Sequence, residues 1–153
     1  YSELRAVKYA FTAIAISSLY HIWEQQVRKF LYNEMSHTYK IEFTDFCPAG
    51  MRDIKPHFQF HNLDLEKLSC WGKIDELRLL SNVIKHGDGG SAEQLSERNK
   101  ELFKQPIFKF ENRPTLDSTL LEETLSLSQN LFNEHVKTLL GFWNELPERS
   151  FSS

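Results

Sequence analysis

Residues 2–35 run SELRAVKYAFTAIAISSLYHIWEQQVRKFLYNEM, with Leu4, Val7, Phe11, Ile14, Ala15, Leu19, Ile22, Trp23, Val27, Phe30 and Leu31 recurring at steps of three and four. Side chains so spaced share one side of an α-helix, whereas a half-buried strand would alternate strictly. The stretch predicts one long amphipathic helix facing inward through those residues, and with it an all-α fold. Its most apolar part, residues 9–20, is about 12 residues long before His21, Glu24, Arg28 and Lys29 intervene, and a membrane span needs roughly 20. The helix belongs to a core, and no membrane partner is expected.

Working outward, residues 36–61 lose the helical period. They carry Pro48, Gly50 and Pro56, and the strings YKIEF and HFQFH alternate in twos. An ordered loop with a small hairpin is the expectation. A second helix is expected from Asn62 or Asp64 to His86, with Leu65, Leu68, Trp71, Ile74, Leu77, Leu80 and Ile84 inward. Asp64 and Glu66 suit its first turn, Lys85 and His86 its last, and Gly87 can close it in the left-handed conformation. Gly72 in its middle costs about 1 kcal/mol against Ala and marks close packing or a kink. Asp88, Gly89 and Gly90 predict a tight turn, after which Ser91 and Gln94 form a capping box for a third helix ending near Phe103.

Residues 105–114 read as extended, PIFKF alternating between two faces. The last helix is expected to start near Asp117 or Thr119, with Glu122 completing another capping box, and to stop before Pro147. Its apolar positions Leu121, Leu125, Leu131, Phe132, Val136, Leu139, Leu140, Phe142 and Trp143 wrap widely, which implies several neighbours, another subunit among them. The sum is a single domain over residues 1–153: an all-α, up-and-down bundle of about four helices with irregular loop excursions.

Composition narrows the function classes. Hydrophobic residues at 41% and charged residues at 25% are the balance of a globular protein. A net charge of -3 excludes gripping nucleic acid by bulk electrostatics, so any RNA contact must be local. Two cysteines without a secretory signal point to a reduced, cytoplasmic setting, and the lack of an initiating Met is consistent with a fragment. Cys47, His57, His61 and Cys70 offer zinc-type ligands but without the close Cys pair of common fingers. No metal or cofactor is expected. Nucleophile-elbow and phosphate-loop signatures are absent, and the adjacent carboxylates Asp75–Glu76 and Glu122–Glu123 point apart on a helix.

The segment ELRLLSNVIKHGDGGS, residues 76–91, is the most pointed one. Arg78, Asn82 and His86 stand four apart, so on a helix they form one slowly drifting stripe. Such a stripe, with Lys85 beside it, has the donors and the titrating imidazole to hold and cleave a phosphodiester. It is equally what a solvated helix ending in Lys, His and Gly looks like. The string LLSNVIKHG also resembles the Asn-bearing helix of histidine-kinase ATP-binding domains, but those need a mixed sheet and further Gly-rich segments.

A bundle in which Asn82 is followed by three residues, then His86 and Gly87, resembles the HEPN superfamily. The likeness covers the bundle layout and roughly a dozen residues of motif. It implies a metal-independent endoribonuclease of a prokaryotic toxin or phage-defence system, a homodimer that binds RNA, with a cognate partner protein in some systems. It implies His86 as general acid or base, Asn82 orienting it, and Arg78 or Lys85 on phosphate. The family's Arg is separated from the His by four to six intervening residues, where this chain has Leu79, Leu80 and Ser81. An inactive relative or a non-catalytic interaction module, binding a partner through the apolar last helix, is the rival expectation.

Overall fold

The first helix, α1, covers Ser2–Ser36 and is about 52 Å long at 1.5 Å per residue. The computed structural model describes residues 2–37, 39–40, 42, 50–87, 89–104 and 123–146. Its inward face matches the expected one through Trp23, Val27 and Leu31 and departs from it in the N-terminal half. Tyr9, Ala13, Ile16, Trp23, Val27 and Leu31 are buried, whereas Leu4, Val7, Phe11, Ile14 and Ile22 are exposed. Both sets run at three- and four-residue steps, so spacing alone cannot choose between them. The neighbours choose, since α1 packs against the third and fifth helices described below.

The region expected as a loop and hairpin instead contains a helix, α2, over Met51–Phe60. Met51, Ile54 and Phe58 are its buried residues, a helical spacing that the alternation in HFQFH concealed. Pro56 lies inside it and removes one backbone donor, which is why the sequence looked like a loop. Residues 41 and 43–49, including two positions of YKIEF and Cys47, lie outside the described residues.

The helix expected over residues 62–86 is divided. Asp64 accepts a bond from the Glu66 amide and starts a 3-10 turn, Leu65–Lys67, before Leu68 turns extended. The helix proper, α3, covers Trp71–His86 and closes at Gly87, whose φ of 56° is the left-handed cap that the sequence predicted. Gly72 therefore sits in the first turn, and a Cβ there would meet nothing within 4 Å. It marks neither a kink nor close packing.

After α3 comes α4, Gly89–Arg98, which begins before the expected cap. Ser91 is a buried residue within it, and Gly89 and Gly90 are its first turn, not a tight turn. Asn99, at φ -150° and ψ 88°, breaks the helix, and Lys100–Leu102 forms a separate 3-10 turn. Residues 105–122 lie outside the described residues, and with them PIFKF, Asp117, Thr119 and Glu122. Leu125 is not helical: it pairs with Phe103 in an antiparallel bridge, and its amide donates to the Tyr9 hydroxyl at 3.3 Å. The last helix, α5, covers Gln129–Glu145 and starts at Ser128, whose hydroxyl accepts from the Leu131 amide at 3.1 Å.

The result is an all-α helical bundle. The core is one cluster to which each of the five helices among the described residues contributes. α3 is its centre, packed against α1, α4 and α5. Trp23 of α1 meets Phe142 of α5 edge-on at 5.1 Å and Trp71 of α3 at 6.4 Å. Of the apolar positions on α5, Leu139 and Phe142 are buried while Leu140 faces out. Among the described residues no helix is long and apolar enough to cross a membrane.

Candidate functional site

Because α3 is central, most of its surface is spent on packing. Ile74, Glu76, Leu77, Leu79, Leu80, Ser81, Val83 and Ile84 are buried, so beyond the exposed Lys73 of its first turn the accessible polar side chains are confined to a narrow strip. Arg78 and Asn82 are half-buried on that strip, and Lys85 and His86 are exposed at its end. The strip exists as the spacing predicted, but its members have different partners.

Arg78 donates from Nε to Asp75 Oδ1 at 2.7 Å. The other carboxylate oxygen of Asp75 takes Arg98 of α4 at 2.5 Å. Burial works against ionising Asp75, but the bonds and charges of Arg78 and Arg98 outweigh it and hold its carboxyl below the usual range. Asn82 reaches across to α4, its amide nitrogen 3.5 Å from Ser91 Oγ. His86 and Lys85 stand at the C-terminal end, where cationic side chains favour the helix dipole. Eight residues of helix put Arg78 and His86 about 12 Å apart along the axis. One copy of the chain thus places Arg78 in an ion-pair network and His86 at a solvent-facing tip, with Asn82 between them.

The positions where the HEPN pattern would carry its Arg are core positions. Leu79 and Leu80 are 0% exposed and Ser81 is 1% exposed. The Ser81 hydroxyl donates to the Ser17 carbonyl of α1 at 3.1 Å. An accessible guanidinium is not available from any of the three.

Two features escaped the sequence reading. The first is a recess of about 280 Å³ where α1, α2 and α3 meet, lined by Tyr20, Met51, Arg52, Lys55, Trp71, Ile74, Asp75 and Arg78. Its residues come from three separate segments, one of them expected to be a loop, so no local pattern could announce it. The second is His135 of α5, buried, with neither ring nitrogen hydrogen-bonded among the described residues. Burial lowers its pKa, and the negative charge of Glu76 only partly offsets this.

That shift gives a pH prediction with a defined sign. In the unfolded chain His135 titrates near 6.5, and in the fold it resists protonation. The unfolded state then binds the extra proton, so this stability is present at neutral pH and is lost as pH falls below about 6.5 towards the folded value. The thermal midpoint should drop from pH 7 to pH 5 in the wild type, and by less in His135→Leu. Equal slopes in the two proteins would show that the ring is solvated.

Among the described residues no group of three His, Cys, Asp or Glu could hold a metal ion. His57 lies within α2 and His61 caps it, rather than standing on one face of a strand. Cys47 lies outside the described residues. Burial and the nearby Glu145 push the Cys70 thiol up to about 11, so at neutral pH it is a protonated thiol rather than a ligand-ready thiolate. No family model, curated protein or solved structure matches this chain.

Proposed function

We propose that the chain is a HEPN-like domain that binds RNA at the tip of α3 and cleaves it without a metal, as a homodimer in the cytoplasm of a prokaryote defending itself against stress or phage. The observation that carries the reading is that His86 and Lys85 stand together, exposed, at a left-handed helix end one turn beyond Asn82. An exposed imidazole is a proton-transfer group of the kind that phosphodiester cleavage needs, and an adjacent lysine offers charge to a phosphate. Arg78 serves RNA only by contacting a phosphate about 12 Å further along the strip or one presented by a second copy.

The homodimer is supported by the outward stripe of α1. Leu4 is 73% and Phe11 70% exposed, and Val7, Ile14 and Ile22 are at least half exposed. Together they offer on the order of 600 Å², at the upper end for a monomer's largest apolar patch and near the roughly 800 Å² that each partner gives to a stable interface. The stripe also suits an antiparallel copy of itself. With a two-fold axis between Phe11 and Ile14, Phe11 falls opposite Ile14 and Leu4 opposite His21, next to Ile22.

A second reading, a non-catalytic interaction module or inactive relative, is favoured by Arg78 being paired with Asp75, the carboxylate that also holds Arg98. A single experiment separates the two. Purified wild type and His86→Ala are incubated with RNA in EDTA while solution mass is measured. Cleavage lost by a factor of about 10² or more, with unchanged circular dichroism and a dimeric mass, supports the nuclease. Equal behaviour of both proteins leaves the module.

A further inference from the structure

The recess beside Arg78 has the chemistry of a ligand site, and of its lining only Arg78 enters the nuclease reading above. We propose that it binds a phosphate monoester carried next to a flat ring, with Arg52 and Arg78 on the phosphate and Tyr20 and Trp71 against the ring. The inference does not rest on chemistry at His86.

Donor availability comes first. Arg78 spends only its Nε on Asp75, and its two terminal nitrogens make no hydrogen bond among the described residues. Asp75 cannot neutralise it fully, because Arg98 shares the same carboxylate. The guanidinium is therefore fixed in direction and still has donors to give, which is the preorganised state that a phosphate-binding fork requires. Arg52 is exposed at the mouth and has no ion pair among the described residues.

Charge points the same way. Arg52, Lys55, Arg78 and Arg98 face two carboxylates, Asp75 and the Glu66 that Lys55 reaches at 2.9 Å, an excess of two positive charges. A phosphate monoester carries between -1.5 and -2 at neutral pH, whereas an internal phosphodiester carries only one charge. The excess matches the monoester. The nearby Glu24–Arg28 pair is neutral as a unit and does not alter the count.

The apolar half selects the group attached to the phosphate. Tyr20 and Trp71 line the recess, with Ile74 and Met51 behind them. Lys55 lies 4.9 Å from the centroid of Trp71, which holds the indole in place as part of the wall. A volume of about 280 Å³ lies at the small end of ligand pockets and suits one base with its phosphate rather than a longer chain. Such a group comes either as a free mononucleotide or as the phosphorylated 5′ end of an RNA.

Calorimetric titration of the full chain with AMP, with a 5′-phosphorylated RNA trinucleotide and with the same trinucleotide lacking the phosphate tests this. Binding of either phosphorylated probe at least tenfold tighter than the unphosphorylated one supports the site. AMP binding as well as the phosphorylated RNA identifies a free nucleotide as the occupant, and a clear preference for the RNA identifies its end. Arg52→Ala, at an exposed position with no partner to lose, should weaken binding about tenfold, and Arg78→Gln by more. His86→Ala should leave AMP binding unchanged, which separates this site from the tip of α3. Absence of binding by both phosphorylated probes, indifference to the 5′ phosphate, or Arg52→Ala and Arg78→Gln binding like wild type would overturn the assignment.

Discussion

Replacing Trp23 by Ala lowers the unfolding free energy by about 3–5 kcal/mol, a large part of the 5–15 kcal/mol that holds a typical domain together. Trp23 is buried on α1 and contacts three other rings: Phe142 at 5.1 Å, Tyr20 at 5.7 Å and Trp71 at 6.4 Å. Truncation to Ala empties the place where α1, α3 and α5 meet, and three helices cannot all move in to fill it. In a chain of 153 residues the thermal midpoint should fall by about 10 °C or more. Trp23→Phe should cost much less, under about 2 kcal/mol. It keeps a ring against Phe142 and removes an indole N–H that is buried without a hydrogen-bond partner among the described residues. Urea unfolding followed by circular dichroism measures both. A loss below about 1 kcal/mol for the Ala variant would mean that α1 does not pack through this face.

The choice of face on α1 also shows how far the sequence could be read. Helical spacing announced the helix to within a residue, because a three-and-four pattern sustained over so many turns has no strand counterpart. It placed Trp23, Val27 and Leu31 correctly but chose the wrong side in the N-terminal half, because Leu4, Val7, Phe11 and Ile14 repeat as regularly as Tyr9, Ala13 and Ile16. Burial is a property of the neighbour, and the neighbour is not written locally. The end of α3 at Gly87 was legible for the opposite reason: a left-handed cap is a one-residue signal that glycine meets at least cost. Helix α2 was missed because Pro56 outweighed Met51, Ile54 and Phe58, although three buried side chains outweigh one missing amide bond once the helix is packed. At the candidate site the order Arg78, Asn82, His86 was visible as a helical strip, but the partners that divide it were not. Asp75 is in the same segment and could be foreseen as a partner of Arg78; Arg98 and Ser91 come from another helix and could not.

The buried flank of that strip leads to the other large effect. Completing the HEPN-type spacing with Ser81→Arg should cost more than about 4 kcal/mol and yield no RNA cleavage beyond the wild type's. Ser81 is 1% exposed, and its hydroxyl satisfies the Ser17 carbonyl at 3.1 Å across the α1–α3 contact. An Arg there breaks that bond and forces a long side chain into a packed interface. It also buries a guanidinium with no carboxylate assigned to it, and each of the three is separately unfavourable. Ser81→Ala serves as the control, expected to lose only about 1–2 kcal/mol for the unpaired carbonyl. If Ser81→Arg instead folds as stably as wild type and gains cleavage, then α3 presents this position to solvent and the cation of the site belongs there. If it unfolds as expected, any positive charge used beside His86 has to come from Lys85, from Arg78 along the strip, or from a second copy, and a charge-reversing Lys85→Glu becomes the variant that decides among them.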